Sequence, residues 1–267
     1  MIIIISIISL SVLGLISGLM LGFAYQKFAV QEDPRVTKVL SILPGANCGA
    51  CGYVGCKGFA EALVAGKVDV SGCLLGGDKI SRLLASELGV KAENKEPKAA
   101  YLLCGGGKSR SENRFEYQGA PNCRSADQTG GGFKACTYGC LGFGDCSIVC
   151  PVNAISMSSD NLPVVDIVKC IACGKCIDVC PRKLFILLPK KTRFHVKCNS
   201  RDKGAVVRKI CKVGCIACNL CQKACPNGAI AIEGNLAVID QNKCRNAGEC
   251  LKVCPMKTIV EFKSDGY

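Results

Sequence analysis

The pattern of apolar and polar positions divides the chain into three unlike parts. Residues Ile2 to Ala24 carry no charge and are apolar almost throughout, long enough to cross about 30 Å of hydrocarbon as a helix. A secretory signal would begin on a basic residue and have a shorter apolar stretch; here nothing basic precedes the run and Tyr25, Gln26 and Lys27 follow it. The segment therefore reads as a retained anchor. Lys27, Arg35 and Lys38 flank only its C-terminal end, which predicts a single pass with the N-terminus out and the bulk of the chain in the cytoplasm. Gly14, Gly18 and Gly22 recur every four residues along one face. Such a stripe lets a second membrane helix approach closely, although glycine is also simply common in such helices.

After a linker at Gln31–Arg35, helical periodicity appears twice, over Lys57–Val68 and Asp78–Val90, and a charged stretch with a proline, Lys91–Lys98, closes the second part. From there to the end the chain has short alternating strand-like runs punctuated by cysteine, glycine and proline. This third part repeats itself. Lys134-Ala-Cys136-Thr-Tyr-Gly-Cys140-Leu, continuing to Cys146 and Cys150-Pro-Val-Asn-Ala-Ile155, matches Lys209-Ile-Cys211-Lys-Val-Gly-Cys215-Ile, continuing to Cys221 and Cys225-Pro-Asn-Gly-Ala-Ile230. Leu162-Pro-Val-Val-Asp166 before Cys170 matches Leu236-Ala-Val-Ile-Asp240 before Cys244.

Composition sharpens the chemistry. Of 267 residues, 23 are cysteine and one is histidine, His195. Disulfide-dense chains are small and secreted, and structural zinc favours mixed Cys/His sets, so iron–sulfur clusters are the leading reading and a zinc-stabilised membrane scaffold the non-redox alternative. The net charge of +13 would suggest a polyanionic partner. However, a [4Fe–4S]²⁺ core held by four thiolates is a dianion, so several clusters would offset most of that excess. Without Trp, and with only 6% aromatics, the chain lacks a base-stacking platform, and no nucleic-acid partner is expected.

Spacing then groups the cysteines. Cys48-x2-Cys51-x4-Cys56, followed by Cys73, predicts one [4Fe–4S] site, its glycines allowing the backbone to curl close to the sulfurs. Cys170-x2-Cys173-x2-Cys176-x3-Cys180-Pro is the bacterial ferredoxin run, in which the fourth cysteine ligates the other cluster; Cys215-x2-Cys218-x2-Cys221-x3-Cys225-Pro repeats it. Cross-ligation predicts sets of Cys170, Cys173, Cys176 with Cys150, and of Cys215, Cys218, Cys221 with Cys254. Two half-motifs depart. Phe143 replaces the middle cysteine of the first, leaving Cys140, Cys146 and Cys180, with Cys136 as the expected substitute. Ala247 replaces it in the last, leaving Cys225, Cys244 and Cys250, with Cys211 as a tentative fourth ligand. A [3Fe–4S] cluster, or one with an iron lacking a cysteine, is equally open there. Cys104 and Cys198 end equivalent apolar strands and could join Cys123 and Cys211 in an additional cluster or be buried thiols. His195 reads as structural.

The predicted fold class is α+β: a transmembrane helix, a small [4Fe–4S] module, then two tandem bacterial-type ferredoxin units of βαβ repeats. The expected divisions are 1–26 (anchor), 27–90 (module), 91–133 (linker and strand segment), 134–190 (first unit), 191–208 (connecting strand segment) and 209–267 (second unit). The order of anchor, Asn47-Cys48-Gly-Ala-Cys51-Gly-Tyr-Val-Gly-Cys56, Gly-Cys140-Leu-Gly-Phe-Gly-Asp-Cys146 and the Cys-Pro repeats resembles the iron–sulfur B subunit of the Rnf electron-transport complex, over essentially the whole chain. That resemblance implies an electron-relay subunit, with no acid–base site of its own, in an inner (plasma) membrane complex that oxidises reduced ferredoxin and reduces NAD⁺, coupled to Na⁺ or H⁺ translocation. It implies about four to six [4Fe–4S] clusters, soluble ferredoxin as donor, and integral-membrane and flavin- or NAD-binding subunits as partners. A free-standing membrane polyferredoxin serving another reductase or a redox sensor is the alternative.

Overall fold

The computed structural model describes residues 2–28, 33–92 and 96–262. Gln31 and Glu32 of the expected linker, and Glu93, Asn94 and Lys95 of the charged stretch, lie outside the described residues. Helix α1, Ile2–Phe28, contains a 26-residue stretch apolar enough to cross a membrane. Its described side chains are exposed nearly all round, and an apolar surface of that extent needs a non-aqueous environment or a partner.

The second part is a three-helix knot around one small core. Asp33 caps α2 (Pro34–Ile42) by accepting from the Arg35 amide at 2.8 Å, with Pro34 at the first helical position, where its missing N–H costs nothing. Helices α3 (Gly55–Val64) and α4 (Gly77–Leu88) overlap the two periodic segments, beginning two residues and one residue before them, and Gly89 ends α4 in the left-handed conformation. Val39, Phe59, Leu63, Val70 and Leu84 close the core, and Cys51, Cys56 and Cys73 pack against its edge.

The third part is two copies of one βαβ-βαβ unit. In the first, β1 (Lys98–Leu102) pairs antiparallel with β4 (Phe185–Pro189), and β2 (Ile155–Met157) pairs with β3 (Pro163–Val165). In the second, β5 (Phe194–Val196) pairs with β8 (Ile259–Glu261), and β6 (Ile230–Glu233) with β7 (Leu236–Ile239). Each unit is thus closed by a strand from the segment that precedes its cysteine repeat. Short helices adjoin or carry single cysteines: α5 (Cys123–Gln128), α6 (Asp145–Ile148) and α7 (Lys175–Val179) in the first unit, and α8 (Gly204–Ile210), which ends at Cys211, α9 (Leu220–Lys223) and α10 (Glu249–Val253) in the second. Strands of three to five residues cannot bury a conventional core, and cysteines fill the gap. Cys104, Cys146 and Cys176 belong to the first core, and Cys198, Cys215, Cys221 and Cys250 to the second.

The units meet through the outer faces of β1 and β5. Ala100 and Leu102 point into the first core, while Ala99 and Tyr101, one residue out of phase, point to the partner unit, so β1 is buried on both faces. Phe194 and Val196 point into the second core, and His195 points outward against Tyr101. The Tyr101 and His195 rings stand 5.2 Å apart, edge to face, with Phe262 5.3 Å from Tyr101, and the Tyr101 hydroxyl donates to the Thr192 carbonyl at 3.2 Å.

Burial first, and the Lys197 charge second, lower the His195 pKa to about 4, against a weaker opposing hydrogen bond with the Leu102 backbone. A histidine held neutral in the fold stabilises it fully above its unfolded pKa of about 6.5. That contribution is lost as pH falls through the window down to about 4, roughly 3 kcal/mol in all. Anaerobic urea unfolding of wild type and His195→Gln should therefore diverge between pH 7 and pH 4, with wild type losing about 3 kcal/mol more than the variant; parallel pH profiles would contradict this.

Candidate iron–sulfur cluster sites

All four half-motifs share one backbone scheme, and it explains how so little secondary structure places so many thiols. The residue two after each leading cysteine is left-handed: Gly142 at φ +82°, Ala172 at +56°, Ala217 at +53° and Asn246 at +58°. A second left-handed residue, Gly144, Gly174, Asn219 or Gly248, then opens the short helix that carries the third cysteine. Alanine disfavours that region, and such strain is kept where the surroundings over-determine it. After each Cys-Pro a third left-handed residue, Asn153, Lys183, Gly228 or Lys257, turns the chain back on itself. The next amide then donates to the sulfur: Ala154 to Cys150 at 3.2 Å, Leu184 to Cys180 at 3.5 Å, Ala229 to Cys225 at 3.3 Å and Thr258 to Cys254 at 3.3 Å. Amides aimed at sulfur stabilise the negative charge that a bound thiolate carries.

The cysteines converge in six sets. Cys48, Cys51, Cys56 and Cys73 line a hollow of about 350 Å³ at the end of α3. There the Asn47 side chain accepts from the Cys56 amide at 2.8 Å and fixes the loop onto the helix start. Cys150, Cys170, Cys173 and Cys176 line a second, of about 330 Å³. Cys215, Cys218 and Cys254 surround Cys221. Cys225, Cys244 and Cys250 line another of about 330 Å³, together with Ala247, and no fourth cysteine lines it.

The remaining two sets differ from the expectation. Cys140, Cys146 and Cys180 are joined by Cys123, not Cys136, in a hollow of about 400 Å³. The cause lies in the longer connection of the first unit, 105–135, against 199–210 in the second. Phe143, standing where a cysteine is missing, packs edge to face on Tyr117 (5.7 Å) and Phe133 (5.9 Å) of that connection. Arg182, its side chain 5% exposed, binds the connection to the cysteine loop: it donates to Asp127 Oδ1 at 2.9 Å and to the carbonyls of Gly131, Cys136 and Gly139. The Cys123 amide donates to Asp145 at 3.0 Å. The fourth thiol of this hollow thus comes from a different stretch of chain than the half-motif in which Phe143 stands. Cys136 turns instead to Cys104, Cys198 and Cys211 around a hollow of about 440 Å³. Cys211 is accordingly not beside Cys225, Cys244 and Cys250, and Cys123 is not beside Cys104 and Cys198.

The donor chemistry fits clusters. All twenty-three cysteines are free thiols. Among the described residues no three Cys, His, Asp or Glu groups are placed to hold a single metal ion, whereas a four-iron core needs thiols spread around a cage. Burial pushes the thiols of Cys146, Cys176 and Cys198 up to about 12 and that of Cys140 well above the ordinary range. Such groups stay protonated until a cation displaces the proton, so occupancy of these cages releases protons and favours higher pH.

Comparison with known proteins places iron–sulfur families on the cysteine-rich stretches. A family described as an Fe-S cluster family matches residues 43–75. A 4Fe-4S dicluster domain matches 135–184 and 214–258, and a second 4Fe-4S dicluster family matches 169–229, astride the two units. Strand pairing favours the first framing, since 98–189 and 194–261 each close on themselves. The chain is 44% identical to the B subunit of the Na⁺-translocating ferredoxin:NAD⁺ oxidoreductase complex of Acetobacterium woodii, over 97% of this chain and 79% of the relative. It is 40% identical to the B subunit of the ion-translocating oxidoreductase complex of Methanosarcina acetivorans, over 95% and 96% of the two chains. It is 41% identical to the B subunit of the proton-translocating ferredoxin:NAD⁺ oxidoreductase complex of Clostridium ljungdahlii, over 97% and 92%. The chain belongs to the family of B subunits of ion-translocating oxidoreductase complexes. It is an iron–sulfur electron-transfer subunit.

Arg182→Ala is expected to free the 105–135 connection, costing about 3 kcal/mol through loss of a buried charged donor and its hydrogen bonds. Iron should then be lost from the set containing Cys123 before any other. Anaerobic iron analysis along a mild chelator titration checks this, and uniform loss from all sites would refute it.

Proposed function

We propose that this chain is the one-electron relay through which a membrane complex of the ferredoxin:NAD⁺ oxidoreductase type takes electrons from soluble reduced ferredoxin. Each cluster, when bound, supplies single-electron exchange without bond-making, so the protein's part is to set ligands, hydrogen bonds, burial and charge. The observation that carries the reading is the serial placement of the cages. Lys175, between Cys173 and Cys176, donates to the Cys48 carbonyl at 2.6 Å, so the N-terminal cage abuts the first ferredoxin unit. Cys176 and Cys180, four residues apart, serve the two neighbouring cages of that unit. Cys221 and Cys225 repeat the arrangement in the second. The N-terminal cage follows α1 in the chain, and the second unit is the far end.

On this reading α1 spans the inner (plasma) membrane once, with its N-terminus out and the cages in the cytoplasm, beside integral-membrane and flavin- or NAD-binding subunits. The ligand sets are those the cages contain: Cys48, Cys51, Cys56 and Cys73; Cys123, Cys140, Cys146 and Cys180; Cys150, Cys170, Cys173 and Cys176; Cys215, Cys218, Cys221 and Cys254. The set of Cys225, Cys244 and Cys250 holds a [3Fe–4S] cluster or one with an iron that lacks a cysteine. Ferredoxin, an acidic protein, docks on exposed lysines and arginines of the duplicated units.

Two measurements test this. Reduction of the anaerobically purified chain by ferredoxin should slow as salt is added, because exposed charges are screened; a salt-independent rate would sink the docking surface. Ala247→Cys places a thiol on a loop whose left-handed Asn246 and Gly248 already match the complete half-motifs. It should give every iron of the site a cysteine: a [3Fe–4S] occupant becomes [4Fe–4S], read by EPR as loss of the oxidised three-iron signal, and a four-iron occupant no longer shifts its reduced-state signal when an external thiol is added. An oxidised spectrum and a thiol response both unchanged would contradict the three-cysteine assignment.

A further inference from the structure

Cys104, Cys136, Cys198 and Cys211 stand outside the four ferredoxin half-motifs. We propose that these four cysteines ligate an additional [4Fe–4S] cluster on the pseudo-twofold axis between the two ferredoxin units, joining them into one relay. The inference rests on the relay reading above for its purpose, and on the geometry for its site.

The site is symmetric. Cys104 follows β1 and Cys198 follows β5, at equivalent places in the two units. Cys136 and Cys211 each stand four residues before the leading cysteine, Cys140 or Cys215. Each unit therefore contributes the same two thiols, as in an isologous interface, and neither could build the cage alone. The backbone closes tightly around it: a Cβ on Gly106 would sit 3.1 Å from the Cys211 sulfur, and one on Gly139 3.7 Å from that of Cys136.

A second observation concerns charge. Lys134 is 6% exposed and lines this hollow, yet its ammonium donates to neutral oxygens, Ser111 Oγ at 2.7 Å and the Gly107 carbonyl at 3.2 Å. Lys197 also lines it. Burying the Lys134 ammonium beside four neutral thiols, with only Asp160 among the described residues as a nearby carboxylate, would be costly; beside a dianionic cluster it is balanced.

A third concerns connection. The amide of Cys140, a ligand in the first unit, donates to the Cys104 sulfur at 3.3 Å, and the amide of Cys215, a ligand in the second, donates to the Cys198 sulfur at 3.4 Å. The central cage is thus one hydrogen bond from a ligand of each unit. Transfer through it moves one electron from the occupant of one unit's cage to the occupant of the other's, the first oxidised and the second reduced by one, with no proton or bond exchanged. With this set every cysteine in the chain has a cage.

The test uses the full-length chain, purified anaerobically, with iron, zinc and acid-labile sulfide measured per chain and EPR recorded after reduction. Cys198→Ala and Cys211→Ala should each lose about four iron and four sulfide, keep the remaining EPR intensity, and lose spin–spin broadening between the units. Iron and sulfide unchanged in both variants would overturn the site, as would zinc in the wild-type chain at that stoichiometry. Should a variant lose all its clusters, the wild-type count decides: iron at or below about twenty per chain overturns the proposal, and about twenty-three supports it. Failure of the relay reading looks different, since a chain with the full iron count that ferredoxin cannot reduce would refute the relay and leave the site standing.

Discussion

Everything in the cysteine-rich part depends on thiols that converge on a cage, most of them buried or half-buried. Strands of three to five residues and helices of four to seven cannot bury enough apolar surface to offset the entropy of ordering them. Their cores are therefore made partly of cysteine, and the cluster is a structural element as much as a redox one. The same fact explains the strained backbone. Left-handed Ala172 and Ala217 are tolerated because the cage dictates the loop, and Asn246 keeps the conformation even where Ala247 has removed the ligand. The loop geometry is thus present in the last half-motif without the thiol that the other loops carry.

Most of the fold was legible because its signals are local. The apolar run, the helical periodicity between Lys57 and Val90, and the ferredoxin spacing each lie within a short window, and α1, α3, α4 and the complete half-motifs follow from them. The helices α3 and α4 start two and one residues earlier than the periodicity suggests. Strands β1 and β5 were visible as apolar runs, but their pairing with β4 and β8 was not, because antiparallel partners so far apart in sequence leave no spacing signal.

The exchange of Cys123 and Cys136 was illegible for a related reason. Proximity in sequence favoured Cys136 as the substitute for Phe143, four residues from Cys140. What decides the matter is three-dimensional: Phe143 anchors Tyr117 and Phe133, Arg182 pins Asp127 and Gly131, and together they fold the long connection back so that Cys123 reaches the cage. A hint was present in the unequal lengths of 105–135 and 199–210. An extra segment carrying an extra cysteine, in the unit whose half-motif lacks one, is what a compensating insertion looks like. The last half-motif lacks its cysteine and has no such insertion, and its cage holds three.

Symmetry then accounts for the cysteines left over. A duplicated unit that packs on its own copy places equivalent residues face to face at the axis, as Tyr101 and His195 do on the outer faces of β1 and β5. Strand ends two or three residues further on must converge as well, and there the chain carries Cys104 and Cys198. A thiol at such a place is matched by its counterpart without further design, and a second thiol per unit, Cys136 and Cys211, completes four. The aromatic contact and the central cage are two consequences of one interface. The ring contact fixes the spacing of the units, and that spacing decides whether the four sulfurs can share one core. On the proposed relay, fold and electron transfer are not separable: whatever loosens the contact of Tyr101 with His195 also widens the gap between the cages of the two units.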